Sequence, residues 1–435
     1  MPAVAFHTIG CKVNHYETEA MMDLFKNKGY TIVNFENIAD IYIINSCTVT
    51  NQAARKSRKF ARRAKRRNPE AIVVMVGCYS QVSPDEIREI EEIDLIVGTG
   101  NKEKIVKMVE KVSQNNEDLN TILNYKELTE YEDLKINQLR ETTRGNIKIE
   151  EGCNQFCSYC IIPYARGPVR SREMDSVISE INNLIQQGVK EIILTGIHLG
   201  AYGYDWNDDD ALVKLVEKII NLNNMGRVRL SSIEITEIKH KLIEIMKKSS
   251  RFCNHFHLPL QSGSNNILKK MNRPYTVEDF REKVIEIRKE VPEVAITTDV
   301  MVGFPGETDR DFQETYNFIK NIEFSRLHVF PYSEREGTKA AEMKDKVHSK
   351  VKKERSKKLR NLNRKLMKKY QQKFIGKIKK VIIEEKRDHK TGLLTGVTDN
   401  YIKVLIKGKD SLQGKMVEVK ITGIEDYSAA RGDII

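Results

Sequence analysis

The feature that most narrows the choice of fold is a recurrent alternation of short, β-branched apolar runs with stretches of helical spacing. Within residues 1–112 the runs AVAFHTI, IYIIN and AIVVMV mark this step, which specifies parallel strands joined by helical crossovers. From Gly145 the alternation returns in six strand–helix steps, through NIKIEE, EIILTG, VRLSSIE, HFHLPL, AITTDVMVG and RLHVF. A closed (β/α) barrel takes eight such units. Six predict a partial, open-sided barrel whose strand-end loops still face one common site. Beyond residue 374 the pattern changes to runs broken by Gly and Asp, such as KIKKVIIEE, YIKVLIKG and KMVEVKITGIED, which read as a small antiparallel barrel. The expected fold class is therefore α/β multidomain: an N-terminal open parallel α/β sheet, a partial (β/α)6 barrel and a C-terminal small β-barrel.

With 435 residues the chain exceeds one ordinary core. The composition shifts place domains at 1–112, 144–343 and 374–435, joined by a polar, acidic linker at 113–143 and a basic helical linker at 344–373. The net charge of +12 is unevenly spread. Residues 55–67, RKSRKFARRAKRR, hold nine Lys/Arg and no acid; residues 344–373 hold fourteen against two acids. Two dense basic segments far apart in sequence suit a large polyanion such as RNA, whereas the bland alternative is a solvated charged surface. Tyr401 and its neighbouring lysines are candidate RNA contacts in the small barrel.

No apolar run approaches the roughly 20 residues of a membrane span, and MPAVAFHTIG lacks the pattern of a signal peptide. A cytoplasmic setting keeps thiols reduced, so seven cysteines in a long chain point to metal ligation or catalysis before disulfides. Three of them, Cys11, Cys47 and Cys78, each come within one or two residues of the end of a predicted strand, although they lie 36 and 31 residues apart. Ligands of open parallel sheets collect outside the carboxyl ends of the strands, which favours convergence of the three over three separate buried thiols.

A second trio, Cys153, Cys157 and Cys160 in EGCNQFCSYC, has the spacing C-x3-C-x2-C and sits after the first barrel strand, where barrel enzymes place their active sites. A four-iron cluster is normally held by four thiolates and a structural zinc by four ligands. No C-x2-C partner occurs downstream: Cys253 stands alone, and His255 and His257 alternate along a strand as packing residues would. Three thiolates leave one metal position open, which marks a reactive site.

This arrangement resembles the radical S-adenosylmethionine superfamily, in which the vacant iron of a [4Fe-4S] cluster is chelated by S-adenosyl-L-methionine. The whole chain resembles the methylthiotransferases of that superfamily, and CSYCIIPYARGPVRSR at 157–172 with LTGIHLGAYG at 194–203 are similar to the bacterial MtaB branch. The resemblance implies two [4Fe-4S] clusters, on Cys153, Cys157 and Cys160 and on Cys11, Cys47 and Cys78, with the small barrel acting as a TRAM-type RNA-binding module. It implies methylthiolation of carbon 2 of N6-threonylcarbamoyladenosine at position 37 of tRNA. Two S-adenosylmethionine molecules and a sulfur donor not named by the sequence would serve the reaction, with an electron donor such as a flavodoxin or ferredoxin. Removal of that carbon-bound hydrogen lies beyond the roughly 10²–10⁴-fold help of acid–base catalysis, so the cofactor carries the hard step. Phe156 and Tyr159, between the ligands, are expected to shield cluster and adenine. Gly196, Ser232, Glu234 and Gln261, in strand-end loops, are expected cofactor or substrate contacts. The loop TGIHLG lacks the acid that the superfamily often places there for the methionyl amine, and GFPGET at 303–308 reads as an adenine-side turn or simply as a turn with Thr308 capping a helix. The alternatives are the same chemistry on isopentenyladenosine-37 or on a ribosomal-protein aspartate, or a non-catalytic, metal-stabilised RNA-binding protein.

Overall fold

The computed structural model describes residues 1–115, 122–137 and 143–435; the expected linker at 113–143 lies partly outside them. The N-terminal runs form an all-parallel sheet of β1 (Ala3–Thr8), β2 (Thr31–Val33), β3 (Ile41–Ser46), β4 (Ile72–Gly77) and β5 (Leu95–Val97), ordered β2-β1-β3-β4-β5. β3 is buried at every residue and β4 from its second residue onward, which is why they read as unbroken apolar runs rather than alternating ones. Helix α1 (Lys12–Asn27) comes after β1, and α2 (Asn51–Arg67) after β3. α2 lays Ala54, Ser57, Ala61 and Ala64 on the sheet, since these fall three or four residues apart on one face.

The six predicted barrel strands are all present: Arg144–Lys148, Glu191–Thr195, Arg227–Leu230, His255–His257, Ala295–Val302 and Arg326–Pro331. They form two parallel triplets, the first three and the last three in chain order. Bridges Val228↔Phe252 and Ser232↔His257 join the triplets into one curved wall. Among the described residues the first and sixth strands do not pair, so the barrel is open on that side.

The N-terminal domain fills this opening. From α1, Glu17 meets Lys148 at 3.3 Å on the first strand. Beyond the sixth strand, Arg335 donates to Thr48 Oγ1 at 2.6 Å, next to Cys47. Part of the acidic linker straps the two domains together: the Tyr16 hydroxyl donates to the carbonyl of Leu134 at 2.6 Å, and Arg172 pairs with Asp133 at 2.6 Å.

The basic segment near the C-terminus becomes the helix Ser349–Gln372. It packs Leu359, Leu362 and Leu366 into the barrel's main core and so forms part of its outer layer. Residues 378–434 close into a five-stranded barrel. No helix among the described residues is long and apolar enough to cross a membrane.

Candidate active site: two converging cysteine trios

Cys11 is the N-cap residue of α1, Cys47 comes directly after β3, and Cys78 opens a short helix after β4. Because β1, β3 and β4 are adjacent, the three thiols meet at one edge of the sheet. Asn14 ties the loops together: its Nδ2 donates to the carbonyls of Ile9 at 2.8 Å and Ser46 at 3.0 Å, and its Oδ1 accepts from Cys11 Sγ at 3.7 Å. Gly10 shows how close they come. At its φ of +132°, a Cβ would stand 2.7 Å from the Asn14 side chain and 3.2 Å from Cys47 Cβ.

The second trio lies in the loop after the first barrel strand. Its turn is closed by Cys160 N donating to Cys157 O at 2.9 Å and Cys153 N donating to Gly167 O at 3.0 Å. Arg273 donates to Cys157 Sγ at 3.4 Å and pairs with Glu234. His198 pairs with Glu237 at 2.5 Å and lies beside Cys153, and against the opposing effect of burial these neighbours hold its imidazolium up to about 11.

One short segment spans both trios. Arg166, six residues past Cys160, donates from Nε to Cys78 Sγ at 3.1 Å and from Nη2 to Asn14 Oδ1 at 2.7 Å. Its Nη1 pairs with Glu17 at 2.6 Å and Glu151 at 2.9 Å, and the side chain is fully buried.

The donor chemistry fits iron–sulfur clusters. Burial pushes the Cys78 and Cys160 thiols up to about 12 and raises those of Cys47 and Cys157. Buried thiolates therefore need nearby positive charge, which a bound metal would supply beside Arg166 and Arg273. Among the described residues, the group of His, Cys, Asp and Glu with ligand atoms within 4.8 Å of one another is His257, Asp299 and His328, not either trio.

The other expected contacts are spread around the two trios. Phe156 adopts a positive φ of 47°, is 40% exposed and meets Tyr164 edge-on; Tyr159 is half-buried against Phe304 of GFPGET. Thr308 does cap the next helix, in a reciprocal pairing with Asp311. Ser232 is exposed. Gln261, at a positive φ of 61°, bridges to Val300 and keeps a buried Oε1 without a hydrogen-bond partner. At Gly196 a Cβ would stand 2.5 Å from the Glu150 carboxylate. Glu150 Oε2 accepts from His198 N at 2.7 Å while Oε1 is orphaned, and burial raises the carboxyl to about 8. A buried carboxyl, that of Glu150, thus stands against the TGIHLG loop.

Two expectations need correction. His255 and His257 are not simple packing residues. Both hydrogen-bond Thr297 Oγ1, at 3.0 and 2.9 Å, and His257 also pairs with Asp299, which His328 joins from the sixth strand at 3.2 Å. Tyr401 is not displayed as an RNA contact. It stacks on His255 with ring centroids 4.7 Å apart, and Arg229 lies 4.8 Å over its ring, at the amino end of the barrel. There Arg227 and Arg229 share Glu191 and donate to the carbonyls of Val397, Thr398 and Asp399.

α2 carries its charges on its outer side, along a cavity of about 970 Å³. Several are already matched: Arg63 and Arg67 meet Glu36, Arg58 meets Glu86 and Lys65 meets Asp94. Arg55, Lys59 and Arg66 are exposed and have no carboxylate partner among the described residues.

Comparison with known proteins agrees with this geometry. Residues 3–98 match the uncharacterized protein family UPF0004, 147–319 the Radical SAM superfamily and 372–435 the TRAM domain. The chain is 46% identical over 97% of its length to the threonylcarbamoyladenosine tRNA methylthiotransferase MtaB of Bacillus subtilis, covering 94% of that protein. It is 41% identical over 96% of its length to the protein of the same name from Aquifex aeolicus, covering all of it. A tRNA-2-methylthio-N(6)-dimethylallyladenosine synthase from Clostridium tetani is 35% identical over 97% of this chain, with 94% of the relative covered. Among solved structures, the radical S-adenosylmethionine methyltransferase TsrM from Kitasatospora setae shares the fold, with a TM-score of 0.60 at 15% identity over 78% of this chain and 77% of that one. The chain belongs to the radical S-adenosylmethionine tRNA methylthiotransferase family.

Proposed function

We propose that this enzyme attaches a methylthio group to carbon 2 of N6-threonylcarbamoyladenosine at position 37 of tRNA, consuming two S-adenosylmethionine molecules and a donated sulfur. The observation that carries the two-centre chemistry is Arg166, which joins the loop of one cysteine trio to a thiol of the other. The choice of nucleoside rests on the 46% and 41% identity to the two proteins named MtaB.

In this reading Cys153, Cys157 and Cys160 hold one [4Fe-4S] cluster and Cys11, Cys47 and Cys78 a second. When bound, the first cluster supplies the electron that cleaves S-adenosylmethionine to a carbon-centred radical, and the second keeps a site for sulfur. The protein's own residues position and insulate. Tyr159 and Phe304 wall the side of the first trio, Glu150 and Gln261 offer orphaned buried oxygens to polar groups of cofactor or substrate, and Glu234 holds Arg273 against Cys157. Residues 1–112 act as the sulfur-handling unit, 144–343 as the radical unit and 374–435 as the RNA module, with 113–143 and 344–373 connecting them. The exposed cations of α2, which begins four residues after Cys47, grip the tRNA backbone. A flavodoxin or ferredoxin supplies electrons.

The test is mass spectrometry of tRNA nucleosides from cells lacking the gene. Loss of the 2-methylthio threonylcarbamoyl nucleoside, restored by the wild-type gene, is the expected result. An unchanged level, with no paralogue present, overturns the nucleoside assignment.

A further inference from the structure

The residue after Cys11 is Lys12, and its ammonium points away from the cysteine trio into the barrel. There, with Arg144, Asn146, Thr143 and Tyr401 and with Glu384, Glu385 and Lys386 of the C-terminal module, it lines a cavity of about 310 Å³ at the junction of all three domains. The charges around it do not balance locally. Arg144 is taken by Glu384, Arg229 by Glu191, and Glu385 and Lys386 have interactions of their own. Asp299, further along the lumen, is held between His257 and His328. Among the described residues no carboxylate lies within ion-pair distance of Lys12. A desolvated ammonium beside two guanidinium groups is costly unless an anion joins it.

A second, independent feature lies in the same wall. Asn146 Oδ1 and Thr143 Oγ1 are both buried without a hydrogen-bond partner. Buried polar atoms left unpaired each cost about 1–3 kcal/mol, so a cavity that orphans an acceptor amide oxygen and a hydroxyl beside a free cation is shaped for a polar, singly anionic guest. That guest must offer N–H or O–H donors to Asn146 and Thr143, and a carboxylate to Lys12.

We propose that the recess formed by Lys12, Arg144, Asn146 and Thr143 binds the amino-acid-like substituent on N6 of the target adenosine, with Lys12 receiving its carboxylate. This rests on the nucleoside reading above and extends it to particular residues. The recess begins one residue from Cys11, so a base whose carbon 2 faces the sulfur-handling trio can send its N6 substituent into it. An isopentenyl group would leave the ammonium and both orphaned oxygens unsatisfied, and discrimination of that kind is strong because the penalty falls on buried polar groups.

The experiment compares two anticodon stem-loop RNAs. One carries N6-threonylcarbamoyladenosine; in the other the threonine carboxylate is replaced by a carboxamide. Their dissociation constants are measured for the anaerobically reconstituted full chain without reductant, for wild type, Lys12→Gln, Lys12→Arg and Asn146→Ala. Taking the ratio for each protein cancels any loss of folded material and any general loss of attraction to RNA. Wild type should favour the carboxylate by about tenfold or more, Lys12→Gln should bring the ratio near one, and Lys12→Arg should retain most of it. Asn146→Ala should weaken both RNAs while leaving their ratio unchanged, since the amide faces the donors rather than the carboxylate. A wild-type ratio near one, or an unchanged ratio in Lys12→Gln, overturns the recess. Turnover is scored separately: selective binding with no methylthiolation by wild type removes the nucleoside reading and leaves the recess standing as a carboxylate site.

Discussion

Arg166 Nε donates to Cys78 Sγ at 3.1 Å, so a guanidinium from the radical domain supports a thiol of the N-terminal domain. The same side chain neutralises Glu17 and Glu151, both buried, and Lys148 and Lys102 complete the cluster. The two domains are therefore joined by an ionic core whose members are all buried.

Arg166→Gln should destabilise the ligand-free chain by about 3–5 kcal/mol, because it strands two buried carboxylates without their main counter-charge. Urea unfolding of the full chain checks this. A loss below about 1 kcal/mol would mean that Lys148 and Lys102 carry the balance alone.

The pH dependence comes from opposite shifts. Arg166 and its lysine neighbours hold Glu17 well below the ordinary carboxylate range against the effect of burial, and Glu151 is also lowered. Their stabilisation is complete above the unfolded value near 4.5 and is lost as pH falls through the depressed folded values. Glu150 behaves in reverse. Burial raises it to about 8, so folding requires a bound proton and costs progressively more as pH climbs from about 4.5 to 8. Glu150→Gln should accordingly stabilise the ligand-free chain at pH 8 by roughly 2–4 kcal/mol and have little effect at about pH 4. Equal effects at both pH values would contradict the shift.

The two trios should separate by function. Cys157→Ala should abolish reductive cleavage of S-adenosylmethionine. Cys47→Ala should leave cleavage measurable and stop methylthio product from forming. Chromatographic detection of 5′-deoxyadenosine and of modified nucleoside gives both readings from one assay, and product formation by Cys47→Ala would remove the N-terminal trio from sulfur handling.

On α2, the cations differ in availability. Replacing Arg55, Lys59 and Arg66 with Gln should weaken tRNA binding and reduce the slope of log affinity against log salt by about 2–3. Replacing Arg63 and Arg67, which are already bound to Glu36, should change the slope by less than about one. Equal slopes for the two variants would place the RNA elsewhere.

The strands and the cysteine trios were legible because both arise from local pattern: apolar runs give the strands, and a parallel sheet gathers the residues just beyond its carboxyl ends. The partners of the cysteines were not. Arg166 lies 88 residues beyond Cys78, and Arg273 lies 116 residues beyond Cys157. Only folding brings them there, and a buried arginine in PYARG looks like any other in the sequence. Tyr401 shows the converse error. An aromatic among lysines suggested a stacking surface for bases, whereas a histidine and an arginine from another domain already pack on its ring.

That placement of Tyr401 gives the C-terminal module a second duty. Its carbonyls at 397–399 receive Arg227 and Arg229, and its ring lies against His255 and Arg229 at the amino end of the barrel. Trimming the module away would strip Arg227, Arg229 and His255 of those contacts and expose them to water. A truncated chain would then lose the carbonyl partners of two buried arginines together with its TRAM domain.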